Sequence, residues 1–239
     1  MALKRTSLPR TAEAVALAEL RDAIVRGDLA PGAPIRQSAA AEELGLSVIP
    51  VREALKTLAG EGIVTYVPQR GYTVTELSPH SVDGIFRIRE ILEGEAEANA
   101  AARLRPEDIA AMRGALEAQR AAVAALDVPG VISGNRGFHF ALLDRCDNEW
   151  MLRFVRQLWE ALEPHRALSY RRGAASRDLA RIEAILGEHD GIVTAFENGE
   201  PALALRLLAE HRTQGRSDFH RLLDSSQDHV GAATGSLDL

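Results

Sequence analysis

The strand signal in this 239-residue chain is confined to two stretches, 63–67 (Ile-Val-Thr-Tyr-Val) and 71–75 (Gly-Tyr-Thr-Val-Thr). Both are rich in β-branched and aromatic residues, and Pro68-Gln69-Arg70 turns between them. One hairpin cannot build a sheet domain, so it must lean on helices. Those helices precede it. Thr11 caps a segment running to about residue 26, with Val15, Leu17, Leu20, Ile24 and Val25 at roughly helical spacing and Gly27 at its end. Ser38 caps a short helix over 39–44. Gly45-Leu46-Ser47 forms a tight turn, and Ser47 caps a helix over 48–59 that ends at Gly60. Pro50 falls in its first turn, where a missing N–H costs nothing. Two short helices joined by a glycine turn are a helix-turn-helix, and a hairpin behind them makes it a winged helix.

From Ser78 onward the pattern is helix after helix, over about 78–103, 106–126, 131–145, 148–170, 177–197 and 201–223. Aromatics are only 5% of the chain and alanine is abundant, which favours packed helices over sheets. The expected fold is mainly α: an N-terminal winged helix-turn-helix and a C-terminal six- to seven-helix antiparallel bundle. The expected domains are 1–76, 77–224 and a disordered tail over 225–239, rich in Ser, Gly, Ala and Asp. No apolar run approaches the ~18 residues of a membrane span. The basic N-terminus has no apolar secretory core behind it, so a cytoplasmic protein is expected. A single cysteine, Cys146, excludes an internal disulfide and a cysteine metal cluster.

The net charge of −6 gives no general attraction for nucleic acid. Residues 1–76 hold nine Lys/Arg and nine Asp/Glu, so the first domain is neutral and any DNA contact must come from local placement of cations. Residues 31–74, through Pro31-Gly32, Pro50-Val51-Arg52-Glu53-Ala54-Leu55, Glu61-Gly62 and Arg70-Gly71, resemble the DNA-binding head of GntR-type regulators. The resemblance implies a recognition helix over 48–59 entering the major groove by its N-terminal end. Arg52 carries the forked donor set suited to guanine or phosphate. Val48 and Ile49 offer apolar contact, Ser47 a cap or a phosphate contact, and Lys56 a phosphate contact. Gln69, Arg70 and Gly71 at the wing tip are placed for the minor groove. For Arg52 a surface ion pair with Glu53 or Glu42 is the competing reading. Many relatives carry arginine where this chain has Val48, and some where it has Ser38, so a relative's operator does not transfer.

In the helical region several polar residues fall on apolar faces. His189 is in phase with Leu179, Ile182, Leu186, Val193 and Phe196. His211 lies with Ala204, Leu207, Leu208 and Leu222, and Asn135 and His139 lie four apart on the face of Val131, Ile132, Phe138 and Leu142. Arg89 and Glu93 lie on that of Val82, Ile85, Phe86, Leu92 and Ala96, and His165 falls near the stripe of Phe154, Leu158 and Leu162. A lone histidine on such a face is usually a satisfied core residue. Three with an asparagine, drawn from three helices, suit Zn, Ni, Fe or Mn. Residues 78–223 also resemble the ligand-binding domain of the FadR subfamily, called FCD, through Arg89-Glu90-Ile91-Leu92-Glu93, Asn135-Arg136-Gly137-Phe138-His139, Asn148, Glu188-His189 and Ala209-Glu210-His211. The resemblance implies a divalent metal held by Asn135, His139, His189 and His211, with a neutral Asn oxygen where relatives often have Asp.

The reading that follows is a DNA-binding, ligand-responsive regulator, a repressor by default and not an enzyme. It would work as a homodimer on a pseudo-palindromic double-stranded operator. Its effector would be a small carboxylate, with Arg89 as clamp and Glu93 orienting Arg89 or a histidine. An internal Arg89–Glu93 ion pair competes with that role. Three rivals stay open: a metal-dependent hydrolase, a head that binds protein, and a metal that is only structural.

Overall fold

The computed structural model describes residues 11–176 and 179–234, with side chains through Asp224. The chain divides into two compact units between Glu76 and Leu77.

The first unit holds α1 (Ala12–Arg26), β1 (Pro34–Ile35), α2 (Gln37–Glu43), α3 (Val48–Gly60), β2 (Val64–Val67) and β3 (Gly71–Val74). Thr11 caps α1 by accepting from the Ala14 amide, and Gly27 closes it at φ 90°, a left-handed conformation that suits glycine. Ala16, Leu20 and Ile24 of α1 then meet Val51, Ala54, Leu55 and Leu58 of α3 in one core, with Ile63 and the inward strand residues Tyr72 and Val74. Each large side chain buried there contributes ~1.5–3 kcal/mol. The antiparallel sheet has the order β1-β3-β2, with Val64 opposite Val74 and Val67 opposite Gly71. Strand β1 was absent from the sequence reading. With only two residues it shows no alternation, and it exists because the Gly32 amide and Ala33 carbonyl pair with Val74 across the edge. Helix α2 starts at Gln37 behind Arg36, so Ser38 lies inside the helix and does not cap it.

The second unit is helical: α4 (Pro79–Ala101), α5 (Pro106–Ala124), α6 (Val128–Leu143), α7 (Glu149–Ser176), α8 (Ala180–Glu197) and α9 (Pro201–Thr234). Ser78 caps α4 by accepting from the Ser81 amide. Helix α6 begins three residues earlier than the pattern suggested. Asp127 caps it, and Pro129 sits harmlessly in the first turn. Helix α7 runs past Tyr170 to Ser176 and tolerates Pro164 inside it. Helix α9 continues to Thr234, so helix stands where the tail from Ser225 was expected to be disordered. No proline interrupts 224–234, and elongation of an existing helix carries none of the cost of nucleation. Residues 235–239 of that expected tail lie outside the described residues, as do Arg177 and Asp178.

Helices α5 and α6 pack at very short range. A Cβ placed on Gly134 would meet the Gln119 backbone at 2.8 Å and its Cβ at 2.7 Å. Only hydrogen fits there, and this approach brings α5 close enough to reach the residues of α6 and α8 described next. Gly134→Ala should therefore lower stability by ~1–3 kcal/mol, as overpacking does. Thermal denaturation would detect the loss, and an unchanged melting temperature would show that the two helices are farther apart.

Candidate functional site: a buried histidine cluster and its cavity

Helix α6 supplies Asn135 and His139, α8 supplies His189 and α9 supplies His211. Asn135, His139 and His189 are buried, and His211 is partly so. One nitrogen from each histidine lies within 4.8 Å of the other two. Their ring centroids are 5.0 Å (His139–His189), 5.2 Å (His139–His211) and 4.8 Å (His189–His211) apart. Phe138 stacks on His189 at 4.2 Å and holds its plane.

The tautomers follow from the neighbours. His189 Nδ1 is 3.0 Å from Gln119 Oε1 on α5, and that oxygen can only accept. The hydrogen is thus on Nδ1, leaving Nε2 bare. That Nε2 is buried with no hydrogen-bond partner. His211 Nδ1 is 2.6 Å from Glu188 Oε2, a carboxylate oxygen that can only accept, so Nδ1 carries a hydrogen there too. Glu188 is itself held by Arg181, and these two partners keep its carboxyl at about 2, below its usual range despite burial. Burial, reinforced by the repulsion between neighbouring rings, holds His139 and His189 well below the ordinary imidazole range. A neutral imidazole with a bare inward nitrogen is what a divalent cation binds, and a buried lone pair without a partner, as on His189, costs ~1–3 kcal/mol. The residues present therefore fit a metal. The side chains around them, Gln119 behind His189 and Glu188 behind His211, orient the rings as such sites require.

Beside the histidines lies a buried ionic cluster. Arg89 grips Glu93 with two bonds, at 2.6 Å from Nε and 3.1 Å from Nη2. Trp159 Nε1 donates to Glu93 Oε1 at 2.8 Å, and Arg212 Nη1 to Oε2 at 3.2 Å. Glu93 accepts four hydrogen bonds in all, as many as an ionised carboxylate can take. Arg212 also holds Glu97 through bonds of 2.8 and 3.1 Å. His139 and His211, the Arg89, Glu93 and Arg212 part of this cluster, and the α7 face carrying Arg166 and Tyr170 line one cavity of about 120 Å³; His189 and Glu97 lie behind that wall.

The internal Arg89–Glu93 ion pair is present, and both residues also line the cavity. The sequence reading missed Gln119, Glu97, Arg166, Arg181, Glu188 and Arg212. His165 is not among the cavity residues. Its Nε2 accepts the Leu77 amide at 3.2 Å, and burial pushes it down to about 4.

In the first unit Ser47, Ile49, Arg52, Lys56, Gln69 and Arg70 are exposed, Ile49 to 69%. Gln69 and Gly71 flank the wing turn at φ 68° and 84°. Arg52 pairs with neither Glu53 nor Glu42: its Nε donates to Gln37 Oε1 at 3.0 Å. Lys56 takes Glu53 instead, at 2.8 Å. Val48, expected to offer apolar contact, is half-buried against the core.

Two family profiles match this chain. The "FCD domain" matches residues 84–214, and "Bacterial regulatory proteins, gntR family" matches 11–74. The chain belongs to the GntR family, in its FCD-bearing branch. Among curated relatives of this GntR regulator, the Escherichia coli HTH-type transcriptional regulator McbR is 34% identical over 146 residues, covering 61% of this chain and 66% of that protein. A probable D-xylose utilization operon transcriptional repressor from Paenarthrobacter nicotinovorans is 32% identical over 199 residues, covering 81% and 84%. The solved structure of E. coli McbR/YncC superposes with a TM-score of 0.75 at 26% identity, covering 88% of this chain and 98% of that one. The protein is thus a DNA-binding transcription regulator with an FCD effector-binding domain. Families and relatives are regulators and not enzymes, which removes the hydrolase reading. No helix among the described residues is long and apolar enough to cross a membrane.

Burial pushes the Glu97 carboxyl up to about 8 from 4.5, against the pull of Arg212. An acid that binds its proton more tightly when folded contributes its full stability below pH 4.5 and loses it as the pH rises through about 8. Glu97→Gln keeps the shape without titrating, so it should flatten the decline of melting temperature over that interval. Parallel curves for the two proteins would mean that Glu97 is ionised throughout.

Proposed function

We propose that this GntR regulator is a ligand-responsive repressor whose helical domain binds a divalent metal ion and a small carboxylate effector. The observation that carries this reading is the bare, buried Nε2 of His189 facing the other two histidines across less than 4.8 Å. Asn135 joins them as a neutral oxygen donor one turn from His139 on α6. Zn, Ni, Fe and Mn all suit such a nitrogen-rich set. A divalent ion held there would offer open coordination positions to a carboxylate oxygen. The protein's own part is to keep His139 and His189 neutral, orient His189 and His211 through Gln119 and Glu188, and line the cavity with cations. Arg89, already bidentate on Glu93, has Nη1 outside that pair, and Glu93 holds Arg89, Trp159 and Arg212 around the cavity.

On the DNA side, the recognition helix is α3, reading the major groove through Arg52, Ile49 and Lys56, with Ser47 and Val48 at its start. The wing residues Gln69, Arg70 and Gly71 reach the minor groove. Arg52 keeps both Nη groups outside its bond to Gln37, the fork that guanine requires. Arg36, exposed at the start of α2, is an added phosphate contact. The protein acts as a homodimer on a pseudo-palindromic operator. Supporting a self-association surface, Ile88 and Ile91 on α4 and Trp150 and Phe154 on α7 are about half exposed or more, on helices that pack together. Effector binding need supply only ~1–3 kcal/mol of coupling to switch operator affinity.

Arg52→Ala should weaken operator binding by ~1–3 kcal/mol with an unchanged melting temperature, read by fluorescence anisotropy at fixed salt. Wild-type affinity in that variant would displace Arg52 from the interface. Purified wild type should carry about one metal per chain by elemental analysis, and His139→Ala/His189→Ala should carry none. Wild type that stays metal-free after incubation with Zn, Ni or Mn would overturn the metal reading. Stripped protein that melts earlier yet keeps its effector response would make the ion structural.

A further inference from the structure

The cavity is lined by four arginines, and three of them are spent on protein carboxylates. Arg89 is closed on Glu93, Arg212 on Glu93 and Glu97, and Arg181 on Glu188 and Asp218. Arg166 is the exception. Its guanidinium lies 4.6 Å from the Trp159 ring centroid, and no carboxylate, carbonyl or hydroxyl among the described residues accepts from it. It projects from α7 on the same face as Ser169, Tyr170 and Gly173, all of which line the cavity. The Trp159 ring it lies against is also 4.9 Å from His139 and from the Arg89 guanidinium, so Arg166 stands within one aromatic ring of the histidine cluster. Burial and the charge of Arg89 draw it down to about 10, which leaves it a cation at neutral pH. A cationic fork at a cavity wall with all its donors unspent calls for an anion of matching geometry.

Building on the effector reading above, we infer that Arg166, rather than Arg89, receives the effector's carboxylate. Trp159 braces the guanidinium flat by cation–π contact. A planar carboxylate meets it with two parallel hydrogen bonds, while the hydroxyls of Ser169 and Tyr170 on the same face are the neighbouring polar groups for a second oxygen function of the ligand. Arg89 has its Nε/Nη2 fork closed on Glu93, whereas Arg166 has every donor open to the cavity. A cavity of about 120 Å³ has room for a short acid. The selected class is a small organic carboxylate, and an isosteric amide is refused because it lacks the charge and the second acceptor.

The test uses full-length, metal-incubated protein titrated calorimetrically with sodium acetate and sodium malonate, with acetamide as the neutral control and chloride to match ionic strength. At least one of the two carboxylates should bind wild type and acetamide should not. Arg166→Gln should weaken that carboxylate tenfold or more while its metal content and melting temperature stay at wild-type values. Arg166→Lys, which keeps the charge but loses the fork, should fall between the two and covers the case of a misfolded glutamine variant. Carboxylate binding within twofold of wild type in a folded variant would overturn the assignment, as would binding of neither acid to wild type, or equal binding of acid and amide. The metal reading fails separately. If wild type holds no metal yet loses carboxylate binding with Arg166→Gln, Arg166 stands and the ion falls. If metal is present and the variant binds normally, the reverse holds.

Discussion

The helical domain depends on one carboxylate. Glu93 is buried on α4 and takes hydrogen bonds from Arg89 of its own helix, Trp159 of α7 and Arg212 of α9. An ionised carboxylate away from water is tolerable only when its lone pairs are filled, and here four donors fill them. The arrangement fixes where three helices stand. It also holds two arginines and the tryptophan at the edge of the cavity, so the cavity's charge and shape follow from the pairing of Glu93.

The histidine cluster is built on the same logic with the opposite outcome. Gln119 and Glu188 satisfy the outer nitrogens of His189 and His211, and burial keeps His139 and His189 neutral, so the inner nitrogen of His189 has no donor to accept from. Four helices must converge to within hydrogen-bonding reach for this. The contact between Gly134 and Gln119 is what allows α5 to come that close. Around Glu93 the carboxylate's capacity to accept is filled internally, while the neighbouring histidine cluster keeps capacity in reserve. The reserve is the more informative of the two, because a folded chain retains an unmet polar group only where something else meets it.

Much of this was legible in the sequence. The three- and four-residue spacing that places Val193 and Leu186 inward places His189 between them, so Asn135, His139, His189 and His211 could be assigned to inward faces from periodicity alone. The head was legible because its caps, glycines and hairpin are local signals. Arg89 and Glu93 could be paired for the same reason, being four apart on one helix. The partners that decide their roles were not legible. Arg212 meets Glu93 across 119 positions, Trp159 meets it across 66, and Gln119 meets His189 across 70. No window along the chain joins such residues. Arg166 was hidden differently: nothing in its local sequence sets it apart from the other arginines of α7, and only packing reveals it as the cavity arginine without a carboxylate. Strand β1 escaped for want of length, and the last helix was cut short because polar composition was taken for disorder.

The bond between His165 and the Leu77 amide has a mechanical meaning. Leu77 is the first residue after the winged unit, and its backbone is moored to the ring that immediately precedes Arg166 on α7. Successive residues of a helix move as one body, so the strut that carries the cavity's unpaired arginine also carries the mooring of the polypeptide where it enters the bundle.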